Sequence, residues 1–320
     1  MLIFWSFLLL PVGFALLVWG AKLLCDSSLS ISKNFKIDSP VLSVFLVSLG
    51  TAAPDCASEL ISIIRGHPDM SVGGILGCNF ANLTLGLGIA SIIAPFKCSK
   101  DMANLELPLL AILDTLFVSF CLSGKLVRIE GIIFLIALIG YVYYSFFRRK
   151  GGMSNIKKAS FHQETHWSTK RSIFIFIASA LMLAYGAYVV VEACTAISDW
   201  LGVSKTFIGF SLLALGNSAP EIFVVSTAAL RKQHAICAGN IICSNFINLT
   251  FVTGMCALIK PFHFDNKTFV IEAISAVSMS YITWYIFKTR EWFSRTFGSL
   301  YVFAYIAVMA IIVIFGKMPR

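Results

Sequence analysis

Ser48 to Glu59 reads SLGTAAPDCASE, and Ala214 to Val225 reads ALGNSAPEIFVV. Each stretch sets a glycine, a proline and a carboxylate close together inside an otherwise apolar run. Proline within a helix donates no N–H, so the carbonyl four residues earlier, here Gly50 or Gly216, loses its partner and the ring pushes the preceding turn open. Glycine at that turn extends the opening to the carbonyls of Ser48 and Ala214. In hydrocarbon such a break is tolerated only where protein, water or an ion meets the freed carbonyl. An acid at the centre of a membrane helix costs on the order of 2.5 to 3.5 kcal/mol, which makes Asp55 and Glu221 functional candidates.

The surroundings are apolar enough for these costs to apply. The 320-residue chain is 58% hydrophobic and 13% charged, with a mean hydropathy of +0.84, whereas soluble domains carry about 25% charged residues. Runs of the roughly 20 residues needed to cross a bilayer fall at 2–24, 40–64, 71–95, 104–123, 127–147, 172–195, 206–230, 235–259, 268–287 and 297–316. These are ten expected spans, joined by short connections and by one basic segment at 148–171. The first run lacks the basic start and small-residue cleavage site of a signal peptide and is read as a retained span.

With the N-terminus outside, 17 of the 25 Lys and Arg residues lie on the cytoplasmic side, as the positive-inside rule requires. The net charge of +9 is thereby a matter of topology and calls for no nucleic acid. Anionic lipid is an expected partner near Arg148 to Lys150. The nine cysteines lie mostly within spans and are expected as free thiols.

Displacing the chain by 166 residues without a gap lays WGAKLLCD at Trp19 on YGAYVVVE at Tyr185, and Gly50, Pro54 and Asp55 on Gly216, Pro220 and Glu221. The same shift lays Cys78, Asn79 and Asn82 on Ser244, Asn245 and Asn248. Two halves of five spans follow, 1–147 and 172–320. Because five is odd, the second half enters the membrane upside down. The fold class is therefore an all-α membrane protein with ten transmembrane helices in two inverted five-helix repeats, an arrangement that places transporter sites near the midplane between repeats.

The two acids carry a charge that a divalent cation would balance, and hard cations such as calcium and sodium take oxygen ligands. Thr51, Ser218, Ser244, Asn82 and Asn248 supply neutral oxygens. Cys78 and Asn82, like Ser244 and Asn248, are four residues apart and share a helix face.

GTAAPD at Gly50, GNSAPE at Gly216, GCNFAN at Gly77 and CSNFIN at Cys243 resemble the two alpha repeats of the cation/calcium exchanger superfamily, whose pattern is close to G-T-S-L-P-E followed by G-S-N-x-x-N or G-S-N-x-x-D. The alpha-1 motif covers 43–90 and the alpha-2 motif 209–256. The resemblance implies a site built by spans 2, 3, 7 and 8, with spans 1 and 6 sliding across it. It makes Asp55 and Glu221 the principal cation ligands. Thr51, Ser218, Ser244, Asn82 and Asn248 become side-chain oxygen ligands, and Ser48 and Ala214 give backbone carbonyls. Cys78 stands where serine is common, Asn217 where threonine is common, Ala52 replaces another serine, and Asp55 is one methylene shorter than the usual glutamate. The implied activity is calcium exchange against sodium or protons, without a cofactor, in a prokaryotic inner membrane, as a monomer or homodimer. An intramembrane aspartyl-type protease and a cation channel are the competing readings.

Glu59 lies four residues beyond Asp55, where the second half has Val225; two readings stand, one in which it restores a negative charge or relays protons and one, the expectation, in which it points to the vestibule or outer surface. Asp114 is expected to be held by an interhelical hydrogen bond. Asp26 and Glu192 line access paths or serve as caps.

Overall fold

The computed structural model describes residues 2–34, 40–98, 100, 102–148, 167–230, 234–264 and 269–315; within 40–51 and 234–236 it describes the backbone alone. Apolar sequence of this length folds as helix because every backbone group must pair internally in lipid. Along the chain these are α1 (Leu2–Asn34), α2 (Pro40–Ile64), α3 (Pro68–Ala81), α4 (Leu87–Ile93), α5 (Leu107–Cys121), α6 (Arg128–Arg148), α7 (Thr169–Leu201), α8 (Lys205–Ile208), α9 (Ala214–Leu230), α10 (His234–Ile247), α11 (Thr253–Ile259), α12 (Val270–Thr289) and α13 (Arg295–Phe315). Wider π turns at Asn82–Gly86, Gly209–Leu213 and Asn248–Val252 join α3 to α4, α8 to α9 and α10 to α11.

Among the described residues, eight stretches are long and apolar enough to cross a membrane. They include Pro68–Ile93, Lys205–Leu230 and Cys237–Ile259, each running through a π turn. Helix ends carry ordinary stop and start signals. Gly202, at φ 66°, closes α7 in the left-handed region, and the Ser204 hydroxyl caps α8 by accepting from the Phe207 N–H at 3.1 Å.

From sequence, breaks are expected at the two central prolines. Instead α2 runs unbroken past Pro54 and α9 past Pro220. A single proline removes one donor and kinks a helix without unwinding it when neighbours hold both sides. The irregular backbone sits in the π turns.

Apolar packing falls into two bodies. The larger gathers Leu76, Phe80, Leu83, Leu110, Phe117, Phe134, Phe246 and Phe293. The smaller gathers Leu10 and Leu17 of α1 and Leu183, Val190 and Ile197 of α7, together with Ala53 of α2. α1 and α7 thus pack mainly on each other, and Gly13 and Gly186 make that contact close enough that a β-carbon on either would crowd the partner backbone. Glycine is needed again where α3 crosses the Gly209–Leu213 turn: a β-carbon on Gly73 would overlap the Thr206 carbonyl, and one on Gly209 the Met70 carbonyl.

Two short ribbons tie the ends together. β1 (Phe96–Lys97) pairs antiparallel with β4 (Trp292–Phe293), and β2 (Lys125–Leu126) with β3 (Phe262–His263). Large side chains such as Phe174, Ile139 and Phe303 face outward from α7, α6 and α13, as lipid-facing helices require. Residues 149–166, most of the expected basic loop, lie outside the described residues.

Candidate ion site

α2, α3, α9 and α10 meet around two acids. Asp55 on α2 is 2% exposed and Glu221 on α9 is 1% exposed. They are close enough for their charges to act on each other, and neither has a Lys or Arg partner among the described residues. Each accepts from the helix that follows it in sequence: Cys78 Sγ donates to Asp55 Oδ1 at 3.4 Å, and Ser244 Oγ to Glu221 Oε1 at 3.2 Å. The two contacts are one relationship seen twice, since both partners are displaced by 166 residues. Cys78 Sγ also reaches the Ala214 carbonyl at 3.8 Å.

Amides complete the wall. Asn82 Nδ2 donates to Asn245 Oδ1 at 2.9 Å, Asn245 Nδ2 to the Asn79 carbonyl at 2.9 Å, and Asn79 Nδ2 to Asp114 Oδ1 at 3.1 Å. Ser280 Oγ donates to the other oxygen of Asp114. This chain of bonds links α3, α10, α5 and α12 and fixes the Asn82 side chain by its nitrogen. Asn217 Oδ1 accepts from Ser58 Oγ at 3.3 Å. Asn248 lies beside the Asp55 carboxyl, although neither its Oδ1 nor its Nδ2 makes a hydrogen bond of normal geometry among the described residues.

Several acceptors are left over. Asn82 Oδ1, Asn248 Oδ1, Ser218 Oγ and Glu221 Oε2 are buried and have no hydrogen-bond partner among the described residues. Buried polar atoms are nearly always paired, and a buried carboxylate without compensation costs several kcal/mol. A set of unused oxygens beside two acids is the arrangement a hard cation satisfies. No three His, Cys, Asp or Glu side chains converge as a transition-metal centre would need, among the described residues.

Of the residues expected from sequence, the structure brings Asp55, Cys78, Asn82, Ala214, Asn217, Ser218, Glu221, Ser244 and Asn248 into this buried region. The side chains of Ser48 and Thr51 lie outside the described residues. Glu59, expected at the vestibule or surface, is instead 1% exposed, because α3 packs directly over that turn of α2. Asp114 is held by two neighbours from other helices. Glu192 pairs with Arg65, Arg65 Nε donating to Glu192 Oε1 at 2.7 Å, while Asp26 is 8% exposed. The bracing roles of Asn245 and Ser58 were not assigned from sequence; the repetition of Asn79 at Asn245 was the available signal.

A family model described as sodium/calcium exchanger protein matches residues 5–147 and 171–314. The chain is 25% identical to the inner membrane protein YrbG of Escherichia coli (strain K12), over 86% of this chain and 88% of that protein. It is 24% identical to the sodium/calcium exchanger MaX1 of Methanosarcina acetivorans, over 96% of this chain and 98% of that protein. Among solved structures it resembles the sodium-calcium exchanger NCX_Mj soaked with 10 mM Na+ and 10 mM Sr2+, with a TM-score of 0.61 and 23% identity over 96% of this chain and 98% of that one. At that identity the likeness is one of fold.

Proposed function

The chain belongs to the sodium/calcium exchanger protein family, and from that premise we propose that it carries calcium against sodium, or against protons, by alternating access. Membership makes it a multi-pass membrane transporter of the cation/calcium antiport kind and not an enzyme, which removes the protease reading. The observation that carries the ion assignment is the group of unpartnered oxygens on Asn82, Asn248, Ser218 and Glu221 around two buried acids. Asp55 and Glu221 would be the charged ligands. Ser218, Ser244, Asn82, Asn248 and the Ala214 carbonyl would be neutral ones, with Cys78 and Asn217 flanking them and Ser48 and Thr51 contributing as the resemblance implies. Calcium and its counter-ion would then use one site in turn. An empty pair of charges is costly to enclose, so one ion leaves only as the other replaces it.

Ten crossings in two inverted halves also belong to this reading. α2 and α6, with 25 and 21 residues, are about 37 and 31 Å long and add two crossings to the eight apolar stretches. Contacts between loops support the α6 crossing, because the β1–β4 and β2–β3 ribbons each join segments that ten crossings leave on one side. So do the Lys205–His67 contact and the bond from Lys260 Nζ to the Ile63 carbonyl. An N-terminus outside, a cytoplasmic 148–171 loop and a prokaryotic inner membrane complete the picture.

Alternating access draws support from unequal packing. Ala53 and Ala57 of α2 lie against the α1–α7 pair. Their counterparts on α9, Ala219 and Phe223, line an open apolar cavity of about 470 Å³, and Phe223 is 74% exposed. A slide of the pair toward α9 would cover that face.

The test is calcium uptake into proteoliposomes under an imposed sodium gradient and, separately, an imposed pH gradient. Wild type should take up calcium under one of them, and Glu221→Gln should lose the uptake. Uptake by Glu221→Gln at the wild-type rate contradicts the assignment, and calcium flux indifferent to any counter-ion favours a channel.

A further inference from the structure

Glu59 is one turn beyond Asp55 on α2, yet it belongs to no part of the cage. Neither Oε1 nor Oε2 makes a hydrogen bond of normal geometry among the described residues, so nothing joins it to Asp55, Glu221 or the asparagines. The Ser71 hydroxyl of α3 lies alongside, is 0% exposed and likewise makes no hydrogen bond of normal geometry among the described residues. Gly74 of the same helix is pressed so close that a β-carbon there would overlap the Glu59 carboxyl. Two buried groups from neighbouring helices, neither with a hydrogen bond of normal geometry among the described residues, therefore face each other where Gly74 brings α3 against the Glu59 carboxyl.

Asp55 of α2 is the charge that acts on Glu59, and the titratable groups within its own electrostatic reach are Cys56 from α2, Cys78 from α3, Cys194 from α7 and Cys256 from α11. None is a Lys, Arg or His, so no side chain among the described residues supplies a positive charge. A metal ion is poorly served as well. Calcium takes six or more oxygens, and here there are two carboxyl oxygens and one hydroxyl. A proton needs one oxygen and leaves the other to a hydroxyl donor, which matches what the pocket contains.

We propose that Glu59 and Ser71 form a proton-binding site separate from the two-acid cage, and that Glu59 releases its proton when calcium enters the cage. The inference rests on the antiport reading for its role and on the Glu59 pocket for its existence. The O–H bond forms on one Glu59 oxygen with a proton from water on the side to which the site is open, and it breaks to return that proton to water. Coupling is electrostatic and reciprocal: a cation beside Asp55 eases the charge on Glu59, and a charged Glu59 favours the cation by the same factor.

Two measurements on the reconstituted full chain test it. In infrared difference spectra recorded with and without calcium, wild type should lose the carbonyl stretch of a protonated carboxyl group on calcium addition. Glu59→Gln should lack that band, and Ser71→Ala should keep it at a shifted frequency. An unchanged band in both variants overturns the proposal, and Ser71→Ala decides the matter by itself if Glu59→Gln does not fold. With a trapped pH dye, calcium uptake by wild type should move protons, whereas Glu59→Gln should take up calcium without the proton movement. Full proton movement in Glu59→Gln also overturns the proposal. Absence of calcium transport in wild type under every gradient defeats the antiport reading instead, and the infrared band still decides the proton site.

Discussion

Cys78 and Ser244 hold the same place in the two halves, and each donates to the acid of the preceding long helix, at 3.4 Å to Asp55 and 3.2 Å to Glu221. They differ in what they offer a hard cation, since a thiol is a weak donor and soft ligand while a hydroxyl oxygen suits calcium and sodium. Cys78→Ser should therefore strengthen cation binding. One added polar contact of about 1 kcal/mol corresponds to roughly a fivefold lower calcium concentration at half-maximal flux, and a higher value would count against Cys78 facing the ion. At this scale the sequence was legible where residue type clashed with surroundings: Asp55, Glu221, Asn82 and Asn248 are polar groups in apolar runs. Glu59 was not, because its burial depends on the close passage of Gly74, which no residue of α2 encodes.

Helix interruptions were legible in neither number nor place. The expected breaks at Pro54 and Pro220 are absent, and π turns appear at Asn82–Gly86 and Asn248–Val252, in matching positions of the halves, and at Gly209–Leu213. A π turn widens the helix by one residue and follows from how neighbouring helices press on it, whereas proline's effect is local and so can be read from sequence. The α2–α3 junction carries a pH dependence. His67 Nδ1 and Lys205 Nζ are 3.0 Å apart, and burial, followed by the Lys205 charge and offset in part by Glu192 and Asp199, holds His67 below its usual value. The folded chain thus binds fewer protons than the unfolded chain between that lowered value and about 6.5. Stability from this group should rise with pH through that window and be lost as pH falls through it. Thermal unfolding in detergent should show this slope in wild type, and His67→Gln should flatten it; an equal slope in both would remove His67 as its source.

Across the whole molecule, the ribbons β1–β4 and β2–β3 gather distant loops at the ends of the bundle. Single cysteines placed at Lys97 and Trp292, in a background without reactive native thiols, should label from one side of the membrane with an impermeant reagent. Cysteines at Lys125 and His263 should label from the other side. Labelling of Lys97 and Lys125 variants from the same side would defeat the ten-crossing topology. The membrane class, the motifs that recur at a displacement of 166 residues and the two acids were legible in the sequence alone, because hydropathy, a constant displacement and a charge in an apolar run are properties of the chain order. The close pairing of α1 with α7, the amide chain from Asn82 to Asp114, the vacant face of α9 and the buried pocket of Glu59 were decided only by tertiary structure. Each depends on which helices come within a few ångströms of one another, and in a bundle where most side chains are apolar, packing shape sets those distances.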